Sequence, residues 1–192
     1  VDGVPGLTDS NKQTYKAEAT FLIAYYHYLL TKNYGPTIIV RERAKVETAP
    51  EDFLPREPYD DCVKWVADKF DEAISMGLYT YDQIQKDPKL YGRATVAAAK
   101  AIKARMLLYA ASPLFNGGSY AGVPNVDPEL LADADDVSND YRNFTDKSGK
   151  QLISTTYDPK KWEIAADACK EAINEAEAEG HYLYYAGMNP SI

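Results

Sequence analysis

Apolar positions along the chain fall into four helical stretches separated by polar segments rich in Pro and Gly. The first spans 12–32. Leu22 and Tyr26 share a face with Ala19, Leu29 and Leu30, and Phe21, Ile23, Ala24, Tyr25 and Tyr28 make much of the remaining surface apolar. A helix apolar on most sides is predicted to be buried on several of them. Asn33 and Gly35 stop it, PTIIV at 36–40 reads as a short extended run, and 41–57 is a charged, Pro-bounded connection. The second helix is predicted over 58–76, with Pro58 in its first turn, a stripe of Val63, Val66, Ala67, Phe70, Ala73 and Ile74, and Gly77 as its stop. Residues 78–94 read as a turn-rich loop. The third helix spans 95–111, capped by Thr95 and closed by Pro113, and carries Ile102 and Ala104 inward. The fourth spans 158–178. It opens on Asp158-Pro159 and buries a stripe of Trp162, Ala165, Ala166, Cys169, Ala172 and Ile173. The expected core is Leu22, Tyr26, Phe70, Ala73, Ile102, Ala104, Trp162, Cys169 and Ala172.

A weak internal repeat relates these helices. VADKFDEAI at 66–74 matches AADACKEAI at 165–173, and 19–29 matches 99–107 more loosely. The order is A, B, A, B, and small residues in the B helices resemble the tetratricopeptide pattern without its regular period. The predicted fold is all-α, with tetratricopeptide-like antiparallel helix pairs and long inserted loops; an irregular bundle is the other arrangement compatible with the pattern. Residues 1–192 are expected to form a single helical domain. The stretch 116–156 is longer than a connection in a compact domain usually is, and loops of that length carry function or move.

Charge and composition narrow the functional classes. A net charge of −8 repels phosphate backbones, so nucleic acid is not an expected partner. No apolar run is long enough for a transmembrane segment. Cys62 and Cys169 lie far apart on predicted helices and read as buried free thiols. His27 sits between Tyr26 and Tyr28 and reads as a packing residue, and His181 has no partner at zinc spacing. No nucleophile motif, metalloprotease motif or phosphate loop is present, so neither an enzyme nor a cofactor is expected. Asp133, Asp135, Asp136 and Asp140 could approach a hard cation but lack the pattern of a calcium loop, and no metal is expected. Tyr outnumbers Phe by 16 to 5. Exposed Tyr rings beside amides suit the apolar faces and hydroxyl groups of sugars. The candidate ligand-binding residues are Asn116, Tyr120 and Tyr141, all in the 116–156 stretch.

Three segments carry a family resemblance. AEATFLIAYYHYLLTKNYG, ATVAAAKAIKARMLLYAASPLFNG and YDPKKWEIAADACKEAINEA, in that order and spacing, resemble the core motifs of the SusD/RagB-like proteins, surface glycan-binding lipoproteins of Bacteroidetes. The likeness covers about residues 13 to 185. It implies the scaffold portion of a longer protein, held at the extracellular face of the outer membrane by a lipid anchor absent from this chain. It also implies non-catalytic binding of starch or another oligosaccharide, and its delivery to a SusC-like TonB-dependent transporter. The competing reading is a tetratricopeptide-like protein-interaction scaffold with no small-molecule ligand.

Overall fold

A computed structural model describes residues 1–43, 45, 47, 49, 52–117 and 144–183. Helix α1 spans Asp9–Tyr34. It begins ahead of the expected start because the Thr8 hydroxyl accepts from Asn11 N–H at 3.2 Å, and it ends where Gly35, at φ 68°, turns its N–H back to the Thr31 carbonyl. Helix α2 spans Tyr59–Ser75 behind Pro58. The presumed loop at 78–94 holds a further helix, α3, over Tyr81–Lys86. Its two turns are nucleated by a reciprocal capping box between Thr80 and Gln83, a local device with no hydrophobic period to announce it. Helix α4 spans Val96–Ala111, with the Thr95 hydroxyl accepting from Ala98 N–H at 3.1 Å. Helix α5 spans Lys160–Ala178, and the Asp158 carboxylate accepts from Lys160 N–H at 3.0 Å. Single 3-10 turns lie at Pro88–Leu90 and Pro113–Phe115. Among the described residues there is no β-sheet, only the isolated bridges Tyr79–Thr95 and Thr145–Gln151.

The helices pack as pairs, α1 on α2 and α4 on α5, with α2 also packed on α4. This is a tetratricopeptide-like all-α arrangement with long loops. The inner stripe of α1 is Ala17, Phe21, Ala24, Tyr28 and Thr31, spaced alternately four and three apart. Leu22 and Tyr26, expected in the core, lie instead on the outer side, 45% and 60% exposed. They are about 100° around the helix from Phe21 and Tyr25, and the small Ala17 and Ala24 are what let α2 come close. On α2, Phe70 has no exposed surface and meets the Phe21 ring edge-on at 5.7 Å; Ala73 is buried beside it.

Small side chains line the second pair: Ala104 and Ala111 on α4, and Ala165 and Ala168 on α5, are buried. Lys100 ties the pair by donating to Glu175 at 2.6 Å. The inward stripe of α5 is narrower than expected. Trp162, Cys169 and Ala172 are only partly buried, because among the described residues α5 packs chiefly on α4, and Ala165 and Ala168 face that contact. Ile102 on α4 is likewise partly buried against the core. Both cysteines are free thiols. Cys62 is enclosed between the Thr37 and Glu57 carbonyls, and burial pushes its thiol pKa up, which keeps it protonated and unreactive. Among the described residues no helix is long and apolar enough to cross a membrane.

Candidate functional site: a groove between two helix pairs

Helices α1 and α4 both rest on α2 and touch each other only lightly, so a groove of about 520 Å³ opens between them. Helix α1 contributes Tyr28, Thr31 and Lys32 from its last two turns. Helix α4 contributes Arg105, Met106, Leu108 and Tyr109 from its C-terminal half, and Ser112, which follows its last turn, adds to the same wall. Tyr59, the first residue of α2, and Trp162, in the first turn of α5, complete the lining. One wall is braced by rings: Phe115 stacks on Tyr59 at 3.7 Å and tilts against Tyr109 at 5.4 Å. Tyr59 and Tyr28 are buried at the base, while Tyr109 and Leu108 are half exposed. The Thr31 hydroxyl is buried with no hydrogen-bond partner. The lining is thus apolar and aromatic with a few polar groups, the usual make-up of a small-molecule site.

Asn116, expected to contact ligand, has a different role. It has no exposed surface. Its Nδ2 donates to the Ala111 carbonyl at 3.3 Å and the Asp158 carbonyl at 3.0 Å, and its Oδ1 accepts from Asp158 N–H at 2.7 Å. Both amide protons are used within the chain, the oxygen accepts one bond there, and with no exposed surface the group does not reach the groove's solvent. The side chain is a clamp joining the end of α4 to the start of α5. Next to it Gly117, at φ 82°, lies so close to the backbone that a Cβ would meet Tyr157 N at 2.6 Å. Lys161 secures the same corner by donating to Asp60 at 2.6 Å and to the Phe115 carbonyl at 2.9 Å. Tyr120, Tyr141 and the acidic run from Asp133 to Asp140 lie outside the described residues.

The described end of that long excursion is folded. Leu152 N–H donates to the Phe144 carbonyl, Tyr59 N–H donates to the Leu152 carbonyl, both at 2.8 Å, and Leu152 and Ile153 are buried. Asp146 closes the intervening turn by accepting from Ser148 Oγ and from the Ser148 and Lys150 N–H groups. Those bonds, the Ser148 hydroxyl first among them, hold its carboxyl below the usual carboxylate range.

The histidines serve packing. His27 Nδ1 donates to the Ile23 carbonyl at 2.8 Å and Nε2 accepts from Val40 N–H at 3.1 Å, with the Trp65 ring 4.6 Å away. The Val40 donor sets the neutral Nδ1–H tautomer. His181 stands edge-on to Tyr81 at 4.2 Å. No group of three or more metal-ligating side chains is found among the described residues.

Sequence reading missed the groove. Tyr28 passed as part of an all-round apolar helix, and Trp162 as core. The available signal was the pairing of an aromatic with a cation one turn apart, Tyr28 with Lys32 and Arg105 with Tyr109. The separation of α1 from α4 across α2, which makes those pairs face one space, leaves no trace in residue spacing.

No protein-family model and no curated protein sequence matches the chain. Solved structures do. It is similar to the protein BT4246, with 36% identity and a TM-score of 0.68 over 90% of this chain and 26% of that one. The selenomethionine form of BT4246 matches with 34% identity and a TM-score of 0.64 over 93% of this chain and 26% of that one. A SusD-like protein, BF3747 from Bacteroides fragilis NCTC 9343, matches with 27% identity and a TM-score of 0.45 over 55% of this chain and 19% of its own. The chain therefore spans about a quarter of the length of the BT4246 structures it resembles.

Proposed function

From the chain's structural homology to the SusD/RagB-like outer-membrane proteins, we propose that it forms part of a non-catalytic surface protein that binds oligosaccharides and passes them to a SusC-like TonB-dependent transporter. The observation that carries this reading is the match to BT4246, at 36% identity across nine-tenths of the chain, together with the order of the three motifs. The fold supports a binding role: paired helices hold a concave, aromatic-lined groove and the rigid root of a long excursion. Starch is one candidate among glycans. Tyr120 and Tyr141 remain proposed contacts. The site of action on this reading is the extracellular face of the outer membrane, with attachment by a lipid.

The test is a screen of the protein against a glycan panel, followed by calorimetric titration of the hits. Saturable binding of at least one oligosaccharide is expected. Absence of any glycan binding by folded protein would overturn the reading. A protein-interaction scaffold is the second reading, favoured by one observation: Leu22, Ile23, Tyr26 and Leu30 leave an apolar face on α1 exposed. Replacing Leu22 and Tyr26 by Ser should abolish partner capture on that reading and leave glycan titrations unchanged on the first.

A further inference from the structure

The walls of the groove have a charge pattern that the fold itself does not use. On α1, Lys32 follows Tyr28 by one turn; on α4, Tyr109 follows Arg105 by one turn. Each wall therefore sets a cation beside an aromatic ring. Elsewhere on α4 the bases pair with neighbouring helices, Lys100 with Glu175 at 2.6 Å and Lys103 with Asp71 at 2.7 Å. Arg105, only two residues further on, forms no ion pair with any described residue, and Lys32 forms none either. In a chain of net charge −8 such bases have many possible partners, yet these two face the same cleft. Behind them the buried Thr31 hydroxyl is also without a partner.

We propose that this groove binds a carboxylate-bearing sugar, a uronate unit of an oligosaccharide. The inference rests on the glycan-binding reading and names a chemistry and a place for it. The apolar face of the pyranose ring lies against Tyr109 and Trp162, where ring contact removes C–H surface from water. The carboxylate meets Arg105, whose planar fork matches two oxygens at once, with Lys32 opposite as a second positive charge. A neutral sugar in the same position would cover the two cations without pairing them, which costs the desolvation of each. The charge pair thus selects for acid over ester.

The experiment titrates the whole 192-residue chain with tetragalacturonate, with its fully methyl-esterified form and with maltotetraose. The acid should bind about tenfold or more tighter than the ester, and its affinity should fall when salt is raised from about 50 mM to about 300 mM. Arg105→Gln and Lys32→Gln should each reduce binding of the acid by about tenfold and bind the ester no more weakly than the wild type does, since each removes a cation that the ester covers without pairing. Because both side chains are exposed, the variants should keep the wild-type denaturation midpoint. Equal affinity for acid and ester overturns the proposal, as does acid binding untouched by either substitution. Binding of maltotetraose or the ester alone would overturn it while upholding the broader glycan role. Failure of every sugar on a glycan panel would overturn both.

Discussion

Asn116 and Asp158, 42 residues apart, are joined by two hydrogen bonds: Nδ2–H to the Asp158 carbonyl at 3.0 Å, and Asp158 N–H to Oδ1 at 2.7 Å. The pairing mimics one rung of a β-ladder with a side-chain amide in place of a second backbone. It fixes the distance between the end of α4 and the start of α5, and so helps aim Trp162 into the groove.

Asn116→Ala is expected to destabilise the chain by about 1–3 kcal/mol, since it strands buried backbone groups of Ala111 and Asp158. Urea unfolding followed by circular dichroism measures it. Asn116→Asp should fail to restore stability because it lacks the amide donors. Wild-type stability for either variant would show that the clamp is dispensable.

Phe70→Ala should cost about 3–5 kcal/mol from lost burial and the cavity left behind. Tyr26→Ala, on the exposed side of α1, should change stability by no more than about 0.5 kcal/mol. The contrast in denaturation midpoints between the two ring truncations tests the rotational phase of α1. Similar losses would mean that α1 is turned differently.

Gly117→Ala combines a positive φ with a Cβ 2.6 Å from Tyr157 N, and backbone there cannot yield as a flexible side chain would. A loss above about 1 kcal/mol is expected. Gly149→Ala, at φ 83° but with open space around it, should cost less, and thermal unfolding of the two variants ranks them.

Arg41 grips Glu57 through both guanidinium nitrogens and holds the Glu57 carboxyl below its ordinary range. A depressed folded-state pKa contributes stability at pH values above the unfolded pKa, and that stability is lost as pH falls through the folded value. Arg41 is largely exposed, so solvent screening keeps the contribution of the pair small. Stability measured from neutral pH downward should fall more steeply below about pH 4.3 in the wild type than in Glu57→Gln. Parallel profiles would exclude a contribution from the pair.

Helix ends were the most readable part of the chain, because caps act locally. Thr95 with Ala98, Gly35, Pro58 and Asp158 each state a boundary within three or four residues of sequence. The phase of α1 was not readable in that way. Its apolar residues surround the axis, and large Leu22 and Tyr26 outweigh the two alanines that decide where α2 docks. The partial exposure of Cys169 depends on α5 packing chiefly on α4, a fact of tertiary order. Asn116 was picked for its chemical type in a Gly-rich turn, yet an amide that suits a sugar suits a backbone equally well. The groove needs three helices to be placed before it exists.

The clamp at Asn116 has a consequence for how this scaffold could diversify. The two ends of the long excursion are held together at Asn116, Gly117 and Lys161, whose partners are backbone atoms and one carboxylate of the helical frame. The cost of closing a loop between such anchors rises slowly with its length. Insertions between the anchors therefore cost the fold little in chain entropy. An engineer altering what lies between them should therefore leave Asn116, Gly117 and Lys161 untouched, since the helical frame is closed at those three positions.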